Sequence, residues 1–466
     1  MPSSNGGGRR GPPTLHSRAS GILLHPTSLP GPFGCGDLGP AADRFAAWLE
    51  AAGQRWWQML PVGPVGYGNS PYSALSAFAG NPLLLSPERL AADGYDVGAP
   101  PPRFPDDRVD FAAAIPWHRQ MLEAAFRSWE GASDPRFDRF CREQAHWLDD
   151  WALFMALKEA RGGRAWFEWE EPLRDRWPDA LAAQRRALAP ELVRHRFVQW
   201  LFDREWERLR ATCAAHGVGL IGDLPIFVAH DSADVWAHRE LFFVDGRGQP
   251  SVVAGVPPDY FSRSGQRWGN PLYRWDALRE SGYAWWLERL RQVLHRFDAI
   301  RLDHFIGFTR YWEIPGQDET AERGRWLPGP GDDFFRAAHD ALGELPLIAE
   351  DLGAVTPEVT ALRDRFGLPG IRILQFAFGT DPQAPDFLPH NYPRNAVVYT
   401  GTHDNDTVEG WYRDPGGPGS QRTPQQAEKE RRAAERYLGM EGCSPHPGAR
   451  VDGMHWAMIR AVLASV

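Results

Sequence analysis

VVYTGTHDNDT, residues 397–407, starts as a buried strand and ends in a cluster of polar groups. Val397, Val398 and Tyr399 favour extended structure. Thr400, Gly401 and Thr402 follow, and then His403, Asp404, Asn405, Asp406 and Thr407. A plain turn needs one Asn or Gly, so a histidine with two carboxylates asks for another explanation. The same run, begun two residues earlier as NAVVYTGTH (395–403), is one of seven of its kind. The others are SGILLH (20–25), RWWQMLPV (55–62), GVGLIGDLPIFV (217–228), FDAIRLDHF (297–305), LPLIAEDL (345–352) and GIRILQF (370–376). Near-continuous apolar runs, rather than alternating ones, suit parallel strands covered on both faces.

Helical patterns separate several of these runs. In AADRFAAWLEAAG (41–53), Phe45, Trp48, Leu49 and Ala52 recur at helical spacing. AWWLERLRQVLHRF (284–297) does the same with Trp286, Leu287, Leu290, Val293, Leu294 and Phe297. TPEVTALRDRFG (356–367) opens on Thr-Pro and closes on Gly, the expected start and stop signals. Alternating strand and helix predicts an α/β fold with a parallel sheet, here a (β/α)8 TIM barrel. Two stretches interrupt the alternation. Residues about 84–215 carry several helical segments, and about 230–280 are irregular and rich in Gly, Pro, Trp and Arg. Both read as insertions after strands, where a barrel builds its active-site face. The count reaches seven strands, and a closed barrel has eight. After residue 407 only helical patterns remain.

In a parallel barrel the C-terminal strand ends share one rim. Here those ends carry Asp223, then Arg301, Asp303 and His304, then Glu350 and Asp351, then His403 and Asp404. The polar end of residues 397–407 is thus one wall of a site whose other walls come from distant parts of the chain. Any single acid at a strand end is more often a cap or a salt-bridge partner than a catalyst; four ends in agreement favour a site. Several carboxylates with an arginine and two histidines, without a phosphate loop or metal-ligand spacing, point to glycosidic bond chemistry. That chemistry needs one carboxylate as nucleophile or base and one carboxylic acid as proton donor.

Composition sets the outer limits. The 466 residues are 43% apolar and 24% charged, with a net charge of −9. That balance fits a globular protein and argues against a nucleic-acid or anionic-membrane partner. No apolar run approaches the ~20 residues that span a bilayer. Residues 1–19 lack the apolar segment of a secretory signal and read as a disordered arm, so the expected compartment is the cytoplasm. Cys35, Cys141, Cys213 and Cys443 are scattered, without disulfide or zinc spacing. The 21 Trp and 25 Phe suit either a large core or stacking on sugar rings, and composition does not choose. GCGDLG (34–39) matches the dinucleotide fingerprint GxGxxG, yet it lies well past its strand, and the next strand ends without an acid. It reads as a glycine-rich loop.

Seven long motifs in order carry a resemblance that runs from about residue 20 to the end. They are LLHPTSLPGPFGCGDLG, GYGNSPYSALSAFAGNPLL, DLPIFVAHDSADVW, GVPPDYFSRSGQRWGNPLY, RLDHFIGF, IAEDLG and GTHDNDT. The chain resembles glycoside hydrolase family 77, the 4-α-glucanotransferases or amylomaltases of the α-amylase superfamily. The resemblance implies a retaining double displacement that moves α-1,4-glucan segments between maltooligosaccharides derived from starch or glycogen. It makes Asp303 the nucleophile, Glu350 the general acid/base and Asp404 the third carboxylate. Arg301 would keep Asp303 charged. His304 and His403 match sugar-binding histidines, and Tyr72 and Asp223 match the subsite of the cleaved sugar. Tyr260, Phe261, Gln266 and Trp268 lie in a segment that resembles the loop over the acceptor. No cofactor or metal is implied. The resemblance also implies a further strand and loop after Val466, so a chain lacking its last strand is expected. Ile306 stands where many relatives carry Arg, and an altered subsite contact is expected there. A hydrolase of the same superfamily, or an inactive glucan-binding chain, are the competing readings.

Overall fold

A computed structural model of the chain describes residues 13–258, 262–440 and 453–466. Eleven strands lie among the described residues: β1 (Gly21–Leu23), β2 (Trp56–Gln58), β3 (Gly219–Leu224), β4 (Val252–Val256), β5 (Gln266–Pro271), β6 (Ala299–Leu302), β7 (Arg310–Pro315), β8 (Arg325–Pro328), β9 (Leu347–Ala349), β10 (Gly370–Ile373) and β11 (Ala396–Tyr399). The seven apolar runs each contain one parallel strand. β1, β2, β3, β6 and β9 pair in that order, and β10 pairs with β11. The Ala349 amide at the end of β9 donates to Pro369 O, just before β10, at 2.9 Å and joins the two sets. Neighbours in space are neighbours in the chain, the order of a TIM-barrel-like α/β fold. Among the described residues β1 pairs only with β2 and β11 only with β10.

Register converts this order into layers. Side chains two apart on a strand share a face. Trp56, Ile221, Ala299, Ile348, Ile371 and Ile373 form one buried cluster, with Val397 and Tyr399 against it. This is the barrel interior, with one or two residues from each parallel strand except β1. Gly21 is matched to this packing: a Cβ there would lie 2.5 Å from Trp56 Cβ, so the missing side chain makes room for the indole. Two residues further along β3, β6 and β9 come Asp223, Arg301 and Glu350, and an apolar floor therefore carries a polar layer.

A larger core lies outside the strands and reaches into the helices between β2 and β3. Helix Pro40–Ala51 forms as its pattern predicts, but its buried residues are Ala42, Ala46 and Leu49, while Trp48 is 53% exposed. Small alanines let it lie close against helix Ala189–Ala215. In helix Ala284–Arg296 the expected stripe is buried at Trp286, Leu290 and Val293 and partly buried at Leu287 and Leu294, and Arg289 and Arg296 are buried with it. The stretch 230–280 is more regular than its composition suggested. β4 and β5 join β7 and β8 in an antiparallel sheet of order β5-β4-β7-β8. Short strands and a bulge between Val253 and Gly255 hide the alternation that would have announced it. The glycine-rich loop 34–39 packs backbone on backbone: a Cβ at Gly36 would sit 2.1 Å from Pro26 O.

Candidate active site

The parallel register sets Asp223 on β3 directly beside Arg301 on β6. The Arg301 guanidinium donates through Nη1 to Asp223 Oδ1 at 2.9 Å and Oδ2 at 3.0 Å, and to Asp303 Oδ1 at 2.8 Å. Asp223 and Arg301 are buried; Asp303, one residue past β6, is part-exposed. Two acids and one guanidinium thus make a compact charged group in which each member needs the others.

Glu350 follows β9 by one residue, and its Oε2 accepts the backbone N–H of His304 at 2.7 Å. His304 adopts φ 51°, a left-handed conformation rare for a side chain other than Gly or Asn. That turn is what carries its N–H to the carboxylate. Burial pushes Glu350 up to about 8; Arg301 opposes the shift and the Asp303 charge adds to it. Burial also raises Asp223, against the pull of Arg301. The imidazole of His304 is lowered to about 4 by burial, and Trp268 meets it edge-on at 4.9 Å between ring centres.

The other wall is a relay. Tyr72, in the short turn Pro71–Ser73 after β2, donates its hydroxyl to Asp223 Oδ2 at 2.6 Å. His403 Nε2 lies 2.6 Å from the Tyr72 hydroxyl oxygen. The hydroxyl has one proton and gives it to Asp223, so His403 must donate from Nε2. The two rings stack at 5.4 Å. Asp404 touches this wall only through His403, with Oδ1 3.3 Å from Nε2, and its side chain is 69% exposed.

Of the residues singled out from sequence, Asp223, Arg301, Asp303, Tyr72 and His403 join in one network, Glu350 and His304 in an adjoining pair, and Asp404 at the rim. Gln266 and Trp268 lie on β5 at the surface, with Trp268 donating to Gln266 Oε1 at 3.1 Å. Tyr260 and Phe261 lie outside the described residues. Asp351 has a different job. Its carboxylate pairs with Arg363 and accepts the Ile371 N–H at 2.7 Å, which fixes β10 against β9. Ile306 is buried in the main core, which puts packing rather than a subsite contact at that position. Three nearby polar groups escaped the sequence reading. Gln58 and Tyr399 bond across the barrel at 2.6 Å. His25, two residues after β1, is lowered to about 4 by burial and by the facing His403. Its place after a strand was the available signal.

No group of three or more candidate metal ligands occurs among the described residues, and no helix there is long and apolar enough to cross a membrane. Cys35, Cys141 and Cys213 are free thiols, and Cys443 lies outside the described residues.

The glycoside hydrolase 77 family model, described as 4-alpha-glucanotransferase, matches residues 24–466. A 4-alpha-glucanotransferase of Thermus thermophilus is 54% identical over 402 residues, which is 85% of this chain and 80% of that protein. One from Synechocystis is 46% identical over 465 residues, 97% of this chain and 88% of the relative. Among solved structures, the amylomaltase of Streptococcus agalactiae in complex with acarbose superposes with a TM-score of 0.87 at 35% identity, over 97% of this chain and 88% of that one. The chain belongs to glycoside hydrolase family 77, the 4-alpha-glucanotransferases.

Proposed function

We propose that the chain transfers α-1,4-glucan segments between maltooligosaccharides by a retaining double displacement with Asp303 as nucleophile. The observation that carries the reading is the division of labour among the carboxylates. Arg301 supports Asp303 with a fixed positive charge, while Glu350 is pushed toward its protonated form. A carboxylate facing a guanidinium, next to a carboxyl that burial keeps protonated, is the pairing that an attacking group beside a proton donor requires.

In the first step Asp303 attacks the anomeric carbon and Glu350 protonates the departing glycosidic oxygen. A glucosyl ester on Asp303 results, and the shortened glucan leaves. Ester formation removes the Asp303 charge, so the Glu350 carboxyl becomes more acidic and is set to act as base. In the second step Glu350 takes the proton of an acceptor hydroxyl, which attacks the ester and restores the α configuration. Tyr72, Asp223 and His403 hold the glucosyl ring, and Asp404 and His304 bind its hydroxyls. Gln266 and Trp268, with Tyr260 and Phe261, hold the acceptor and exclude water. Residues about 20–466 serve as one catalytic unit in this reading, with the insertions of about 84–215 and 230–280 as its walls. The substrates are α-1,4-glucans derived from starch or glycogen, handled in the cytoplasm. The names of the relatives and the acarbose bound by one of them support this substrate class.

Asp303→Asn tests the assignment. It should cut turnover by roughly 10³-fold or more and leave glucan binding measurable. Unchanged turnover would remove Asp303 from the role.

A further inference from the structure

Four arginines are buried among the described residues: Arg289, Arg296, Arg301 and Arg363. Arg301 and Arg363 each pair with carboxylates. Arg289 and Arg296 form no ion pair with a described residue. Buried charges are ordinarily paired, because an unpaired one forfeits its hydration without return.

Arg289 is 3% exposed. It donates to Pro225 O at 2.7 Å, Ile226 O at 3.2 Å and the Tyr273 hydroxyl at 3.4 Å, all neutral groups. Its guanidinium lies over the ring of Trp286 at 4.7 Å. Arg296 is 6% exposed, its guanidinium makes no hydrogen bond to a described residue, and it lies over Phe202 at 5.2 Å. The Nε of each is buried without a protein partner. The two residues are seven apart on helix Ala284–Arg296, so they share a face two turns apart.

Both line one cavity of about 60 Å³ between that helix, the end of β3 and the loop after β2. Asp223 and Tyr72 form part of another wall of the same cavity. The carboxylates that act on the two arginines do so from beyond ion-pair distance. Asp234, which faces Arg289, is committed to the Ala77 N–H at 2.8 Å. Asp203 faces Arg296. Asp223 is already shared by Arg301 and Tyr72. Burial draws Arg296 down to about 10, with only Asp203 acting against it.

We propose that this cavity binds a small monovalent anion of halide size, held by the Nε–H groups of Arg289 and Arg296. The chemistry fits in three respects. Two buried guanidiniums supply the charge. Their unpartnered donors supply the hydrogen bonds. The cavity admits a few water-sized groups, each needing about 10–15 Å³, and a halide is little larger than water. Because the loop after β2 carries Tyr72, an anion here also braces the wall of the active site. The inference is independent of the proposed glucan transfer.

The test uses the full chain. Crystals soaked in sodium bromide should show an anomalous peak in the cavity at hydrogen-bonding distance from Arg296 Nε and Arg289 Nε. In solution, sodium chloride should raise Tm saturably over sodium gluconate at equal ionic strength, by a few degrees. Arg296→Met should lose both effects; if that variant does not fold, the two wild-type readouts decide alone. Cavity density that is water alone overturns the proposal. So does a peak without a chloride-dependent rise in Tm, which marks binding at crystal concentration only. A rise in Tm that survives in Arg296→Met overturns it as well.

Discussion

Glu350 and Asp303 stand one residue beyond neighbouring strands, and their surroundings treat them oppositely. Arg301 faces Asp303 at 2.8 Å, whereas burial holds the proton on Glu350 up to about 8. The basic limb of kcat/KM should therefore fall near pH 8 as Glu350 loses its proton. A pH–rate profile with a short maltooligosaccharide checks this, and a limb unmoved in Glu350→Asp would assign it to another group. The sign for stability runs the other way from that of a salt-bridged acid. Between the ordinary 4.5 and about 8 the folded chain keeps a proton that the unfolded chain releases, so Glu350 costs stability as pH rises through that window. Glu350→Gln should then raise Tm at pH 8 relative to pH 5, by roughly 1–4 °C, while abolishing transfer. Removing Arg301 should be severe. Arg301→Met leaves Asp223 and Asp303 without their counter-charge, a loss of about 3–5 kcal/mol in a denaturant titration. At this scale the sequence was partly legible. Asp303, Glu350 and Asp351 gave the same signal, an acid after an apolar run, and only the fold separates the site acids from Asp351. Gln58 and Tyr399 gave none, because a residue inside a strand shows its partner only once the barrel is curved.

Strand register is the element that makes the site. Asp223 faces Arg301 because β3 and β6 pair in parallel with those two residues opposed, and a slip of β3 by one residue would turn Asp223 away from the interior and leave Arg301 without it. The Asp351–Arg363 pair is the clamp that holds β10 to this frame. Arg363→Met should cost about 3–5 kcal/mol of stability and leave KM near its original value, because its effect is on folding. The antiparallel β5-β4-β7-β8 sheet does a second job by carrying Trp268 next to His304. Trp268→Ala should shift products from transfer toward hydrolysis by about 10-fold, the size of one lost ~1.4 kcal/mol contact, as read from free glucose against longer glucans. The parallel strands were legible because β2, β3, β6, β9 and β10 are buried almost throughout and so are mainly apolar, while β1 and β11, only partly buried, still form short apolar runs. The antiparallel sheet was not, since its strands are short, bulged and partly exposed. Likewise the stripe of helix Pro40–Ala51 was misplaced at Trp48 and Ala52, both exposed: hydrophobicity marks candidates for burial, but close helix packing here selected Ala42 and Ala46.

The molecule as a whole combines an apolar barrel floor, a charged layer above it, and rim residues brought by the turn after β2 and by β5. Distant stretches meet because parallel strands end at one rim, which is why the polar cluster at 403–406 makes chemical sense only beside residues 72, 223, 303 and 350. That convergence could be read from the strand-end pattern, and the seven ordered motifs named the family. The reach of Tyr72 to both Asp223 and His403 could not, because it depends on how the loop after β2 folds over the rim. Incubation of the purified chain with maltotriose alone tests the central claim most directly. Transfer predicts a ladder of longer maltooligosaccharides together with glucose, and loss of the whole ladder in Asp303→Asn. Glucose and maltose without any ladder would contradict it and make the chain a hydrolase.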